Sequence, residues 1–434
     1  MMNDTHRADR RSWVESANAP RCDFPIQNLP FGVFRDWEGD DSPRVGVAIG
    51  DFVLDVSALR AGLFEGQARR AVEACTEPTL NMLMELGPEA QSALRARLVQ
   101  LLDASDTSSR RYVEPALTRI KDVEMLLPAD IGDYTDFYAS IQHATNVGSM
   151  FRPDNPLLPN YKHVPIGYHG RASSIIVSGA PVKRPAGQTQ TDGAIAPSFG
   201  RTQMLDYEVE VGAFIGTGNS LGEPVPIAHA RDHLFGLCLV NDWSARDIQK
   251  WEYQPLGPFL AKNFATSISP WVVTMEALEP FRTTAARRAD GDPAPLPYLH
   301  DDSDQNAGNF AITIETYLET SKMREARLAP FLVSRGNFAG MYWTFAQMLA
   351  HHASNGCNLR PADLIASGTV SNESRDSAGC LLERTWRGTE PLALPSDETR
   401  RFLENGDTVV ICAFCETNGA TRIGFGECRG TIAG

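Results

Sequence analysis

The spacing of apolar positions changes several times along this chain, and each change predicts an element. RVGVAIGDFVLDV alternates apolar and polar positions on both sides of Gly50-Asp51, which predicts a hairpin. Ala90, Leu94, Leu98, Leu101 and Leu102 fall at i, i+4, i+8, i+11 and i+12. That is one helix face, and Gly87-Pro88 marks its start. Residues 1–20 are polar and read as a loose tail; order is expected from DFPIQNLPFGVF onward. Residues 21–128 therefore read as a small strand-plus-helix domain, with LLPADIGD (126–133) as a short Pro/Gly connection.

Residues 129–434 have a different texture. Short apolar runs (SIIVSG, YEVEVGAFIG, LFGLCLVND, WVVTM, AITIETYL, DTVVICAF) recur between Gly and Pro, with no strict βα alternation. This favours a mainly β second domain over a doubly wound sheet. Residues 283–309 are polar and Pro/Asp-rich, as in a surface excursion, and no repeat of 20–50 residues is visible.

Composition narrows the class. A chain of 434 residues has ample core, and its net charge of -14 argues against nucleic acid, which needs a basic footprint. No run approaches 18 consecutive apolar residues, so no membrane span is expected. The eight cysteines are scattered and the start lacks an apolar signal core, so a reduced, cytoplasmic protein is expected.

Three segments could carry chemistry. In LDYEVEV, strand alternation puts Asp206, Glu208 and Glu210 on one face. Two readings stay open: a wet acidic sheet face, or an oxygen-ligand metal site in which a dication offsets the like charges. NDWSARDIQKWEYQ follows an apolar strand-like run. A helix starting there has Asp242 at its N-terminus, with Arg246, Gln249 and Tyr253 at i+4, i+7 and i+11 on the same face. That is either a capped helix with an Asp–Arg pair or a face suited to an anion, with Lys262 adding a cation. In DYTDFYASIQHATNVG, Asp136 and His143 are seven apart and share a face if the segment is helical. A lone His is more often structural than catalytic.

Other patterns lead nowhere. Gly218-Asn219-Ser220-Leu221-Gly222 has the nucleophile-elbow spelling, but EPVPIAHA after it cannot open a helix. The Gly216 and Gly218 pair fails as a dinucleotide fingerprint for the same reason. Cys412 and Cys415 lack the further ligands of a zinc site, and His351-His352 reads as packing.

The longer blocks are more specific. DYTDFYASIQHATNVGSMFR, VPIGYHGRASSI, LDYEVEV, LVNDWSARDIQKWEYQPLGPFLAKNF, HHASNGCNLRPADLIASGT and GFGECRGTI, spread in order over residues 23–430, resemble the fumarylacetoacetate hydrolase family. The resemblance implies a mainly β fold with some α: a small SH3-like N-terminal barrel and a larger mixed β-sandwich roll. It implies a homodimer and a hydrolase acting on a carbon–carbon bond. The substrate would be a small β-diketo acid, 4-fumarylacetoacetate, cleaved to fumarate and acetoacetate at the end of tyrosine and phenylalanine catabolism.

Carried over position by position, the resemblance implies metal ligands Asp136, Glu208, Glu210 and Asp242, holding Ca2+, with Mg2+ also implicated. Four carboxylates suit a hard cation. Asp206 would be structural. His143 would activate water, oriented by Glu383. Arg246, Gln249 and Lys262 would steady the departing enolate. Tyr138, Arg152, Tyr168, Tyr253 and Thr369 would hold substrate. A carbanion is a poor leaving group, so its delocalisation is what this chemistry requires. A neutral imidazole, with an ordinary pKa of about 6.5, can take the water proton near neutral pH. The chain departs from the family pattern at Asn263, Ala265 and Asn372, and over the loop 371–380 before Glu383. Alternatives are an acylpyruvate hydrolase, hydratase or decarboxylase of the same superfamily, or a non-catalytic calcium-binding scaffold.

Overall fold

The computed structural model describes residues 2–37, 42–191 and 193–434. The N-terminal part is a curled antiparallel sheet of β1 (Phe31–Asp36), β2 (Arg44–Ile49), β3 (Phe52–Asp55), β4 (Leu117–Arg119) and β5 (Val123–Leu126), ordered β4-β3-β2-β1-β5. The hairpin predicted at Gly50-Asp51 is β2–β3, and Gly50 turns it with φ 57°. The predicted helix is α1 (Pro88–Leu102), and Ala90, Leu94, Leu98, Leu101 and Leu102 all lie on its buried side.

The loose tail expected before residue 21 is instead packed over residues 2–20. Val14 and Ala17 are buried, the Ser12 hydroxyl donates to the Leu102 carbonyl at 2.8 Å, and His6 Nε2 lies 2.8 Å from the Glu276 carbonyl. Isolated anchors in a polar background carry no period, so pattern alone misses them.

The larger part is built on a mixed sheet. Its strands are β6 (Tyr134–Phe137), β7 (Gly167–Gly170), β8 (Ile175–Val177), β9 (Val209–Ile215), β10 (Leu234–Asp242), β11 (Thr266–Ile268) and, later in the chain, the short Val273–Thr274 beside β10 and Leu364–Ala366. Leu364–Ala366 runs parallel to β6 and antiparallel to β9; β10 pairs with β9 and β11. A second sheet stacks on it, led by β12 (Ile312–Glu319), β13 (Phe331–Asn337), β14 (Thr408–Cys415) and β15 (Ile423–Ala433).

The two sheets read differently in sequence. β12 alternates, one face in the core and one partly wet. β9 and β10 are buried on both faces and are correspondingly near-continuous apolar runs. Val211, Ala213, Leu237 and Leu239 face the core shared with the second sheet. Tyr134, Phe214, Cys238 and Val240 face the core shared with the N-terminal domain. By strand parity, Asp136, Glu210 and Asp242 continue this second face, at the end where the apolar layer stops.

Candidate active site

Four carboxylates meet at that end. Asp136 lies on β6, Glu210 on β9 and Asp242 at the end of β10; Glu208 stands just before β9. One oxygen from each lies within 4.8 Å of the others, and all four residues are buried. The wet-face reading of LDYEVEV is thereby overturned, since Asp206 and Glu210 are 0% exposed and Glu208 only 5%. Burial above all, then the neighbouring Asp242, pushes the Asp136 carboxyl well above its ordinary range. Burial and Asp136 do the same to Glu210. Asp136 Oδ1 and both oxygens of Glu210 have no hydrogen-bond partner. Buried carboxylate oxygens without donors are costly, and a hard divalent cation with oxygen ligands is the group that fits them.

A cationic flank closes one side. Lys262 Nζ donates to Glu208 Oε2 at 2.6 Å and to Asp242 Oδ2 at 2.8 Å. The Arg246 guanidinium donates to Glu208 Oε1 at 2.5 Å and to Asp206 Oδ2 at 3.0 Å. Burial works against the charge on Lys262, but Asp242 and Glu208 outweigh it and hold the ammonium protonated. Burial likewise opposes the Glu208 anion, and Lys262 and Arg246 hold its carboxyl below the usual range. Tyr168 donates its hydroxyl to Asp242 Oδ2 at 2.8 Å. A cavity of about 410 Å³ opens here, lined by Tyr168, Asp242 and Lys262 among others.

The third part is a buried imidazole–carboxylate pair. His143 Nδ1 lies 2.5 Å from Glu383 Oε2. Burial alone would raise the Glu383 carboxyl; His143, Asn146 and Ser371 outweigh it and hold it down at about 2. The Tyr138 ring stands edge-on to His143, centroids 5.3 Å apart.

Two local expectations fail. Asp136 and His143 do not share a helix: Asp136 is on β6, and His143 belongs to α2 (Ile141–Phe151), which starts after a Ser140 cap. Asp242 does not cap a helix either. It ends β10, and α3 (Arg246–Glu252) begins only at Arg246. Pairing with β11 extends β10 through Asp242, and Ser244–Ala245 pairs with Leu205–Asp206 before the helix can start. The expected Asp242–Arg246 pair is replaced by Arg246 with Asp206 and Glu208.

Of the other expected residues, Gln249 Oε1 accepts from Arg246 Nη1 at 3.2 Å, and Thr369 is buried with its hydroxyl unpartnered. Arg152 sits at the end of α2 and donates to the Pro156 carbonyl, and Tyr253 at the end of α3 is exposed. Neither is drawn into the cluster. Asp206 accepts from the backbone of Leu381 and Leu382 at 2.8 and 2.9 Å, which opens α4 (Leu381–Arg384), the helical turn bearing Glu383. Sequence reading misses Asn146, Ser371, Ser140 and Thr266, whose hydroxyl donates to Asp242 Oδ1 at 3.1 Å. Only Asn146, one helical turn after His143, left a usable signal.

Comparison with known proteins gives a consistent result. Residues 27–128 match the fumarylacetoacetase N-terminal family and residues 133–433 the fumarylacetoacetate hydrolase C-terminal family. The chain is 50% identical to the fumarylacetoacetase of Bos taurus over 95% of its own length and 97% of the relative's. It is 46% identical to that of Oryza sativa subsp. japonica over 99% of each chain. The solved fumarylacetoacetate hydrolase of Exiguobacterium antarcticum is 17% identical, with a TM-score of 0.50 over 93% of this chain and 99% of that one. At that identity the likeness concerns the fold alone.

Proposed function

The chain belongs to the fumarylacetoacetase family, and from that premise we propose that it hydrolyses 4-fumarylacetoacetate to fumarate and acetoacetate, the closing step of tyrosine catabolism. The observation that carries this reading is the buried His143–Glu383 pair beside a four-carboxylate cluster flanked by Lys262 and Arg246.

Asp136, Glu208, Glu210 and Asp242 would hold the metal. Bound there, a dication would neutralise the cluster and polarise the keto oxygens of the substrate. Calcium suits the irregular donor set better than magnesium, which demands near-octahedral geometry. The rest is done by side chains. Glu383 holds the proton on His143 Nδ1, so Nε2 is free to take a proton from water. The water oxygen bonds to the carbonyl carbon, the adjacent carbon–carbon bond breaks, and its electron pair leaves as an enolate. Arg246, Gln249 and Lys262 stabilise that charge, and the imidazolium returns the proton to carbon. Tyr138, Tyr168 and Thr369 line the substrate position, while Arg152 and Tyr253 would have to close on it from the rim. Eight free cysteines support a reduced cytoplasmic setting, and no described helix is long and apolar enough to cross a membrane.

Purified protein mixed with fumarylacetoacetate and calcium should consume the diketone absorbance, with fumarate and acetoacetate appearing in equal amounts. No turnover with metal present would favour a scaffold; turnover of an acylpyruvate alone would favour a superfamily relative. Asp242→Ala should abolish tight calcium binding, and an unchanged calorimetric titration would sink the ligand set.

A further inference from the structure

Glu383 has more donors than one imidazole supplies. Its Oε1 accepts from Asn146 Nδ2 at 2.8 Å. Its Oε2 accepts from Ser371 Oγ at 2.8 Å, with His143 Nδ1 at 2.5 Å and Cys380 Sγ at 3.2 Å. Ser371 is itself pinned: its Oγ accepts from the Gly379 backbone at 2.9 Å, and its carbonyl accepts from Ser140 Oγ at 2.9 Å. Ser140 Oγ in turn accepts from the backbone of His143 at 3.2 Å. A closed ring of hydrogen bonds thus runs from the His143 backbone through Ser140 and Ser371 to Glu383 and back to the His143 ring.

We propose that Asn146 and Ser371 are positioning residues of this site: they hold the Glu383 carboxylate at a fixed angle as an anion, and so set the tautomer and direction of the His143 ring. The inference rests on the reading of His143 as the base that activates water. The terminal torsion of a glutamate is broad, so one imidazole contact leaves the carboxylate free to swivel. Asn146 fastens one oxygen and Ser371 the other. Both donors are neutral, so they favour the anion without replacing the imidazole as its charge partner. Facing an acceptor-only carboxylate, Nδ1 carries the proton and Nε2 keeps its lone pair. Cys380 is a weaker donor on the same oxygen. Tyr138 and Tyr207 are the other titratable groups packed near the pair; Asp206, Arg246 and Glu208 lie beyond.

The loop that departs from the family pattern serves the same end. Asn372 Oδ1 accepts from the Asn337 backbone at 2.7 Å, and its Nδ2 donates to the Asn337 carbonyl at 3.0 Å. This ties residue 372, next to Ser371, to the end of β13.

The test compares wild type with Asn146→Ala, Ser371→Ala and Asn146→Asp. The two alanine variants should lose ~10–100-fold in kcat, as supporting-residue losses typically do, with KM within about twofold. Asn146→Asp sets a like charge against Glu383. Its activity relative to wild type should rise as pH falls and the added carboxyl takes up a proton to become a donor. A merely structural role gives a ratio that does not vary with pH. Independently of turnover, the downfield proton resonance of His143 Nδ1–H, assigned by its loss in His143→Gln, should move in both alanine variants. Wild-type turnover with kcat of both alanine variants unchanged, or with only KM altered, overturns the proposal. If wild type does not turn over, the functional reading fails instead, and an unmoved resonance decides against the clamp.

Discussion

At the scale of single residues, the candidate active site is a set of conflicts settled by partners. His143 and Glu383 are both buried, and neither would be tolerable there alone. Replacing His143 with Ala should lower kcat by ~10²–10⁴, the usual worth of a general base, while circular dichroism stays unchanged; retained activity would refute its role. Glu383 also makes a stability prediction. Its carboxyl is held at about 2 in the folded protein, against about 4.3 for a free glutamate. Its contribution is therefore fully present above pH ~4.3 and is lost as pH falls toward 2, a difference of ~3 kcal/mol for so buried a group. In chelator, the gap in urea midpoint between wild type and Glu383→Gln should narrow on going from pH ~5 to pH ~3. A constant gap would contradict the assignment.

At the scale of elements, the site depends on where secondary structure stops. β10 ends at Asp242, and α3 starts four residues later with Arg246. The strand end presents the carboxylate and the helix start presents the guanidinium. α2 is held as closely. A Cβ on Gly148 would lie 1.9 Å from the Pro156 carbonyl oxygen, so the helix bearing His143 and Asn146 rests directly on the following loop. Gly148→Ala should destabilise by ~1–3 kcal/mol through overpacking, read as a lower melting temperature, and should reduce kcat as α2 shifts. An unaltered melting temperature would mean that the loop yields freely.

At the scale of the whole molecule, the deep placement of the carboxylates follows from layering. The mixed sheet lies between two cores, and its site-bearing face packs on the N-terminal domain. Phe199, Leu256 and Phe259 are large, exposed and apolar. Exposed apolar residues of this kind are what the homodimer implied by the family resemblance would have to cover. Light scattering should give twice the 47.6 kDa chain mass; a monomer at micromolar concentration would refute it.

Sequence by itself determined the mainly β class, the β2–β3 hairpin and α1, because each is written in a local period; the candidate site residues it named rest on contiguous motifs read through the family resemblance. It also rejected the elbow-like Gly218–Gly222 segment, which the structure leaves without a following α-helix. Tertiary structure alone decided three things. It buried the LDYEVEV carboxylates, because a period-2 pattern tells which residues share a face but not whether water covers it. It moved Asp136 and Asp242 from expected helices onto strands, because cross-strand pairing overrode local spacing. It brought Asn146 and Ser371 onto one carboxylate, 237 and 12 residues from Glu383 along the chain. No local spacing encodes a contact that only the packing of distant segments creates.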